Sequence, residues 1–163
     1  MTHTPPLPRR SPEEQEHLET MLRDMFEHRL RFNELIGLKV ASLDPEAPRM
    51  SFAMARELVG NYVQGRLHGG MISAALDTVG GLAVIVGIAE KHADESADLV
   101  AHRFGRVGTI DLRVDFLRPG MGHSFVATGR VNRLGGRIAS VQMSLENEAG
   151  ILIATGSAAY VVS

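Results

Sequence analysis

One segment constrains this chain more than any other. Residues Gly70 to Glu90 read Gly-Met-Ile-Ser-Ala-Ala-Leu-Asp-Thr-Val-Gly-Gly-Leu-Ala-Val-Ile-Val-Gly-Ile-Ala-Glu, which is helix-length and apolar on nearly every face. A helix with no wet side must be surrounded by protein. Its many Gly and Ala residues let a sheet or a second helix approach closely. The longest apolar run, Val79 to Ala89, is about half of the roughly 20 residues that a membrane span requires, so the segment reads as a core helix.

The flanks supply what would cover such a helix. Downstream, Ile110, Leu112, Val114 and Phe116 alternate with Asp111, Arg113 and Asp115, the period of a strand. Runs His123 to Arg133, Arg137 to Glu146 and Ile151 to Val162 follow, separated by the turns at Gly135-Gly136 and Glu148-Ala149-Gly150. Such short turns imply antiparallel pairing. Upstream, Val40 to Asp44 and Arg49 to Ala55 read as two more strands joined at Asp44-Pro45-Glu46. The expected architecture is α+β: an antiparallel sheet of about six strands laid on one apolar helix. A single sheet with one core helix keeps an open edge, which edge pairing into a dimer would close.

Three further segments complete the organisation. Residues 1–11 are expected to be a loose, Pro-rich tail without the apolar core of a signal peptide. Residues 12–31 begin with the cap Ser11-Pro12-Glu13-Glu14 and carry Leu18, Met21, Leu22, Met25 and Phe26 at helical spacing, an amphipathic helix that packs on the domain or on a neighbour. Residues 32–163 form one domain, within which Phe32 to Leu38 is a short helical turn. Residues 56–69 are expected to be a polar loop and 91–108 a polar connector.

Composition removes several function classes. A net charge of −2 offers no general attraction to nucleic acid, and aromatic residues at 5% make no base-stacking platform. The absence of cysteine excludes disulfide frameworks, iron–sulfur clusters and thiolate zinc sites. The seven histidines show no paired metal spacing, so no metal is expected. Gly60 to Leu67 has P-loop-like glycine spacing but lacks the Lys and Ser/Thr that would hold phosphate and magnesium. No Gly-x-Ser-x-Gly elbow is present. The chain is expected to be cytoplasmic, without a membrane or nucleic-acid partner.

Two features remain that could carry chemistry. Asp77 lies within the apolar helix, where a carboxylate is costly to bury unless paired and where burial shifts it toward general-base strength. A structural Asp bonded to backbone or to Thr78 is the competing reading. His68-Gly69-Gly70 stands at the helix start, where unpartnered N–H groups and the helix dipole can stabilise an oxyanion. The nine positions from His68 to Asp77 span roughly 10 to 13 Å along a helix. One carbonyl is not expected to meet both in one chain, so the Asp would come from a second subunit whose helix runs antiparallel alongside.

The residues Gly65-Arg-Leu-His68-Gly69-Gly70-Met-Ile-Ser-Ala-Ala-Leu-Asp77 and Gly108-Thr109-Ile-Asp-Leu-Arg-Val-Asp-Phe-Leu-Arg-Pro119 resemble the hotdog-fold acyl-CoA thioesterases. The branch is the PaaI-like phenylacetyl-CoA thioesterases of the 4-hydroxybenzoyl-CoA thioesterase superfamily. The resemblance covers about residues 32 to 162 and leaves out the N-terminal helix and the 91–108 connector. It implies Asp77 as general base or nucleophile and the Gly69 N–H as the donor to the thioester carbonyl. His68 would position neighbouring groups, and Thr109 would stand where some members place a Ser that holds the attacking water. The family's loop asparagine matches Asn61, shifted by one residue, with Gln64 as the alternative. Gly70 and Met71 would meet substrate at the helix start. It further implies a homodimer, with dimers pairing into a homotetramer. No separate cofactor is implied, because CoA is part of the substrate.

Seven arginines between 103 and 137 are accompanied there by only Asp111 and Asp115. Guanidinium forks suit phosphate, and Arg133 and Arg137, which flank the Gly135-Gly136 turn, are the candidates for the nucleotide end. The competing function on the same fold is a non-catalytic acyl-CoA-binding or assembly protein using the first helix as its partner surface. A hotdog dehydratase ranks below both, for want of an Asp-plus-His pair at the spacing expected for hydration.

Overall fold

The computed structural model describes residues 9–163. Helix α1 (Pro12–Asp24) opens on Ser11, whose hydroxyl accepts the Glu14 N–H at 3.2 Å. It runs into a π-helical turn at Met25–Arg29 and then into the short α2 (Arg31–Leu35). Strands β1 (Lys39–Ser42) and β2 (Arg49–Ala53) follow, then a 3₁₀ turn at Arg56–Leu58 and the small strands β3 (Val59–Asn61) and β4 (Arg66–Leu67). The apolar helix is α3 (Gly69–Lys91), and α4 (Ala97–Phe104) comes next. Four long strands close the chain: β5 (Gly108–Phe116), β6 (Ser124–Leu134), β7 (Ile138–Asn147) and β8 (Leu152–Val161).

The main sheet has six strands in the order β1-β2-β6-β7-β8-β5, every neighbouring pair antiparallel. Helix α3 lies across its concave face, and Val79, Leu76, Leu82 and Val84 are wholly buried there. Their counterparts on the sheet include Phe125, Leu145 and the stacked rings of Phe52 and Phe125, 5.2 Å apart. The approach is close because β6 carries Gly129 beneath the helix; a Cβ there would lie 2.7 Å from the Val79 carbonyl oxygen. Length and apolarity alone would let α3 cross a membrane, but in this fold it is the core. A six-stranded antiparallel sheet wrapped around one apolar helix, with an added N-terminal helix, is the hotdog arrangement.

Two segments differ from the expectation of plain loop. Residues 56–69 contain the 3₁₀ turn and the β3–β4 hairpin, closed by the Asn61 side chain, which accepts the N–H groups of Val63 and Gln64 at 3.1 Å each. Gly65 at φ +63° completes that turn. Strands of three and two residues are too short for alternation to register in the sequence. The 91–108 connector contains α4, capped by Ser96 and buried through Ala97, Val100 and Phe104. Its polar neighbours hide that sparse i, i+3, i+7 stripe.

Of the expected loose tail, residues 1–8 lie outside the described residues, and Arg10 is anchored rather than loose. Its guanidinium donates to the carbonyls of Ala89 and His92 at 2.9 Å, at the C-terminal end of α3. Glu14 accepts the Ala97 N–H at 2.8 Å, which fixes α1 on α4. Leu18, Leu22 and Phe26 bury the inner face of this segment, including its π turn.

Candidate active site

Asp77 sits halfway along α3 and is half-buried rather than sealed on all sides. The exposed side of α3 is a narrow stripe that includes Gly70, Ser73, Ala74, Asp77 and Gly81, small or polar residues one turn apart. The Asp77 carboxylate is held from the sheet. Thr109 on β5 donates its hydroxyl to Oδ1 at 2.8 Å. Tyr160 on β8 donates to the Asp77 backbone carbonyl at 2.7 Å, with Oδ1 at 3.4 Å. Thr109 and Tyr160 are cross-strand partners, so the two donors arrive side by side.

A bulge makes this arrangement possible. The β5–β8 register shifts between Thr109 and Asp111, leaving Ile110 unpaired and 55% exposed. If the strand alternated regularly through Ile110, Thr109 would face away from the side on which Leu112 and Val114 pack toward the core. Tyr160 in turn needs Gly80, because a Cβ at that position would stand 2.2 Å from the phenol oxygen. The phenol is 1% exposed. Burial first, and then the nearby Asp77 charge, push its proton affinity far above the ordinary tyrosine range, so it remains an O–H donor.

Asp77, Thr109 and Tyr160 stand at one wall of a cavity of about 390 Å³ whose remaining lining is largely apolar, with Met25, Phe26, Ile85 and Phe104 among its residues. Sequence reasoning missed Tyr160. The usable signal was Gly80 inside a helix, a destabilising choice that asks for a packing reason.

The helix start is a separate locality. His68 caps α3, its Nδ1 accepting the Gly70 N–H at 2.8 Å. Met71 and Ile72 donate to the His68 carbonyl at 3.0 and 3.2 Å. Among the described residues no acceptor meets the Gly69 N–H, which leaves it as the available donor. Gly69 and Ile72 line a second cavity of about 360 Å³ with Phe116 and Pro119, and this cavity shares no residue with the one at Asp77. Asn61 and Gln64 lie on the β3–β4 turn, where the Asn61 side chain is engaged in that turn. Met71 is buried and lines neither cavity. Arg133 and Arg137 share a third depression of about 450 Å³ around Gly135 and Gly136. Within one chain the structure therefore joins Asp77 to Thr109 but not to His68, Gly69 or the two arginines. No cluster of three or more His, Asp or Glu suited to a metal occurs among the described residues.

The fold is of the hotdog type, and comparison with known proteins specifies the family. A model described as the thioesterase superfamily matches residues 64–154. The chain is 38% identical over 139 residues to the medium/long-chain acyl-CoA thioesterase YigI of Escherichia coli K12, covering 85% of this chain and 90% of that one. The YigI of Salmonella typhimurium LT2 matches to the same identity and extent. A crystal structure from Shewanella oneidensis, of a protein related to the thioesterase superfamily, superposes with a TM-score of 0.87 at 37% identity, covering 94% of this chain and all of that one. The chain belongs to the thioesterase superfamily and is an enzyme of that class.

Proposed function

We propose that this protein hydrolyses acyl-CoA thioesters to a carboxylic acid and free CoA, using sites built by two copies of the chain. The observation that carries the reading is the Asp77 carboxylate, held by the Thr109 hydroxyl at 2.8 Å and facing a largely apolar cavity, in a chain similar to acyl-CoA thioesterases. Asp77 takes a proton from water as the water oxygen attacks the thioester carbon, or attacks that carbon itself to give an acyl anhydride that water then cleaves, releasing the acid and restoring the carboxylate. Thr109 fixes the carboxylate and, through its oxygen, a water beside it. The Gly69 N–H of the other copy receives the developing oxyanion, aided by the dipole of α3. The C–S bond then breaks, and the CoA thiolate leaves and takes up a proton. His68 holds the helix start in shape through Gly70, and Asn61 or Gln64 borders the entrance. Arg133 and Arg137 are assigned to the phosphates of CoA.

Two copies are required because Asp77 lies eight positions after Gly69, about 12 Å of helix rise. The surfaces suit a two-fold pairing. The β1 edge is short and bulged, whereas β5 offers nine residues with Phe116 57% exposed. Beside it runs the small-residue stripe of α3, which admits an antiparallel second helix. Two such dimers pair into the tetramer.

The test is free-thiol release from acyl-CoA. Asp77→Asn is expected to keep the dimer while kcat falls about 100-fold or more, the scale of a general base. Undiminished turnover would reject the assignment, and an unmutated protein that binds acyl-CoA without cleaving it would reject the hydrolase reading.

A further inference from the structure

We infer that the N-terminal helix and its π turn are the measuring wall of the acyl site, selecting straight-chain aliphatic acyl groups by length. This rests on the proposed thioesterase reading for the position of the thioester and goes beyond it in assigning the chain's path.

The cavity at Asp77 has two unlike parts. Asp77, Thr109 and Tyr160 form its polar end, and Met25, Leu30, Ile85 and Phe104 are among the apolar groups that line the remainder. Its volume of about 390 Å³ falls in the range of roughly 300–1,000 Å³ typical of small-molecule sites. A thioester carbonyl at Asp77 would direct its hydrocarbon tail into this apolar part, which holds neither a charged group nor an aromatic slot beyond Phe26 and Phe104.

Met25, Phe26 and Leu30 all precede residue 64, where the match to the superfamily model begins. The wall is contributed by the segment that precedes β1 and not by the main sheet. It is also built rather than merely adjacent. The Leu30 N–H donates to the Met25 carbonyl at 3.0 Å, the i→i+5 bond of a π turn. That widened turn frees the Phe26 carbonyl, which the buried Asn33 side chain satisfies at 2.9 Å. Upstream, Arg10 and Glu14 tie the same helix to the ends of α3 and α4. Phe104 of α4 closes the cavity beside it. The N-terminal helix with its π turn and α4 of the 91–108 connector therefore both contribute to the apolar part of the cavity that Asp77 borders.

The experiment compares kcat/KM for butanoyl-CoA and dodecanoyl-CoA in the unmutated protein, Met25→Trp, Leu30→Trp and Met25→Ala. Calorimetric titration with dodecanoyl-CoA and a check of fold and oligomeric state accompany each. Leu30 is already 43% exposed, so its enlargement leaves room for the chain to fold even where Met25→Trp does not. The two Trp variants are expected to lower the dodecanoyl/butanoyl ratio about tenfold or more, equivalent to about 1.4 kcal/mol of lost chain contact, and Met25→Ala to move it oppositely. A ratio and a dodecanoyl-CoA affinity that stay within twofold in folded variants would overturn the inference, placing the tail elsewhere or the second subunit over this cavity. An unmutated protein that cleaves neither thioester, yet binds dodecanoyl-CoA more weakly after Leu30→Trp, would overturn the hydrolase reading and leave the wall standing.

Discussion

At the scale of single residues, the account depends on how Asp77 is held. Thr109→Val removes the hydroxyl that donates to Oδ1 and is expected to lower kcat about tenfold or more, whereas Thr109→Ser keeps the donor and most of the rate. Steady-state thiol release on the two variants checks this. Tyr160 acts through Asp77 as a positioning residue, and its space is reserved by Gly80. Gly80→Ala would place a methyl 2.2 Å from the phenol oxygen and is expected to destabilise the protein by about 1–3 kcal/mol in denaturant unfolding. The Tyr160 proton also gives a pH signature. Its affinity is raised in the folded state above the ordinary 10.0. The folded chain therefore keeps a proton that the unfolded chain releases above that pH. Stability from this group is whole below pH 10 and declines above it, by up to about 1.4 kcal/mol per pH unit. Tyr160→Phe should flatten that alkaline decline relative to the unmutated protein.

At the scale of elements, the π turn between α1 and α2 is the piece that ties stability to specificity. Asn33→Ala leaves the Phe26 carbonyl without its donor in a buried setting, and a loss of about 1–3 kcal/mol is expected in urea unfolding. The elements that sequence reading placed well are those with a strong period or no polar face. Helix α3 and strands β6, β7 and β8 stand within a residue or two of expectation. The elements it missed draw their order from single side chains. Asn61 closes the β3–β4 hairpin, and Ser96 starts a helix whose buried stripe has only three residues. The alternation of β5 was legible, but the Ile110 bulge was not, because a bulge changes register without changing composition. That bulge brings Thr109 to Asp77. The expected carboxylate in a fully dry helix was corrected for a related reason: all-round apolarity conceals a stripe of Gly, Ala, Ser and Thr, whose side chains are too small to fill one face.

At the scale of the whole molecule, the central claim is that Asp77 of one copy works with the Gly69 N–H of another. Each copy has two half-sites on separate cavities, and two-fold pairing of antiparallel α3 helices would make two complete sites. The most direct measurement is complementation between two inactive chains. Gly69→Pro removes the N–H at a helix position that accepts proline, and His68 already has the extended backbone that a following proline requires. Asp77→Asn removes the carboxylate. Each variant alone should be nearly inactive as a folded dimer. Unfolded together at equal amounts and refolded, half of the dimers are mixed, and each mixed dimer holds one intact site. Thiol release should then recover to about one quarter of the unmutated rate. If Asp77 and Gly69 serve one reaction within a single chain, the mixture will stay as inactive as its parts, and that result would contradict the two-copy site.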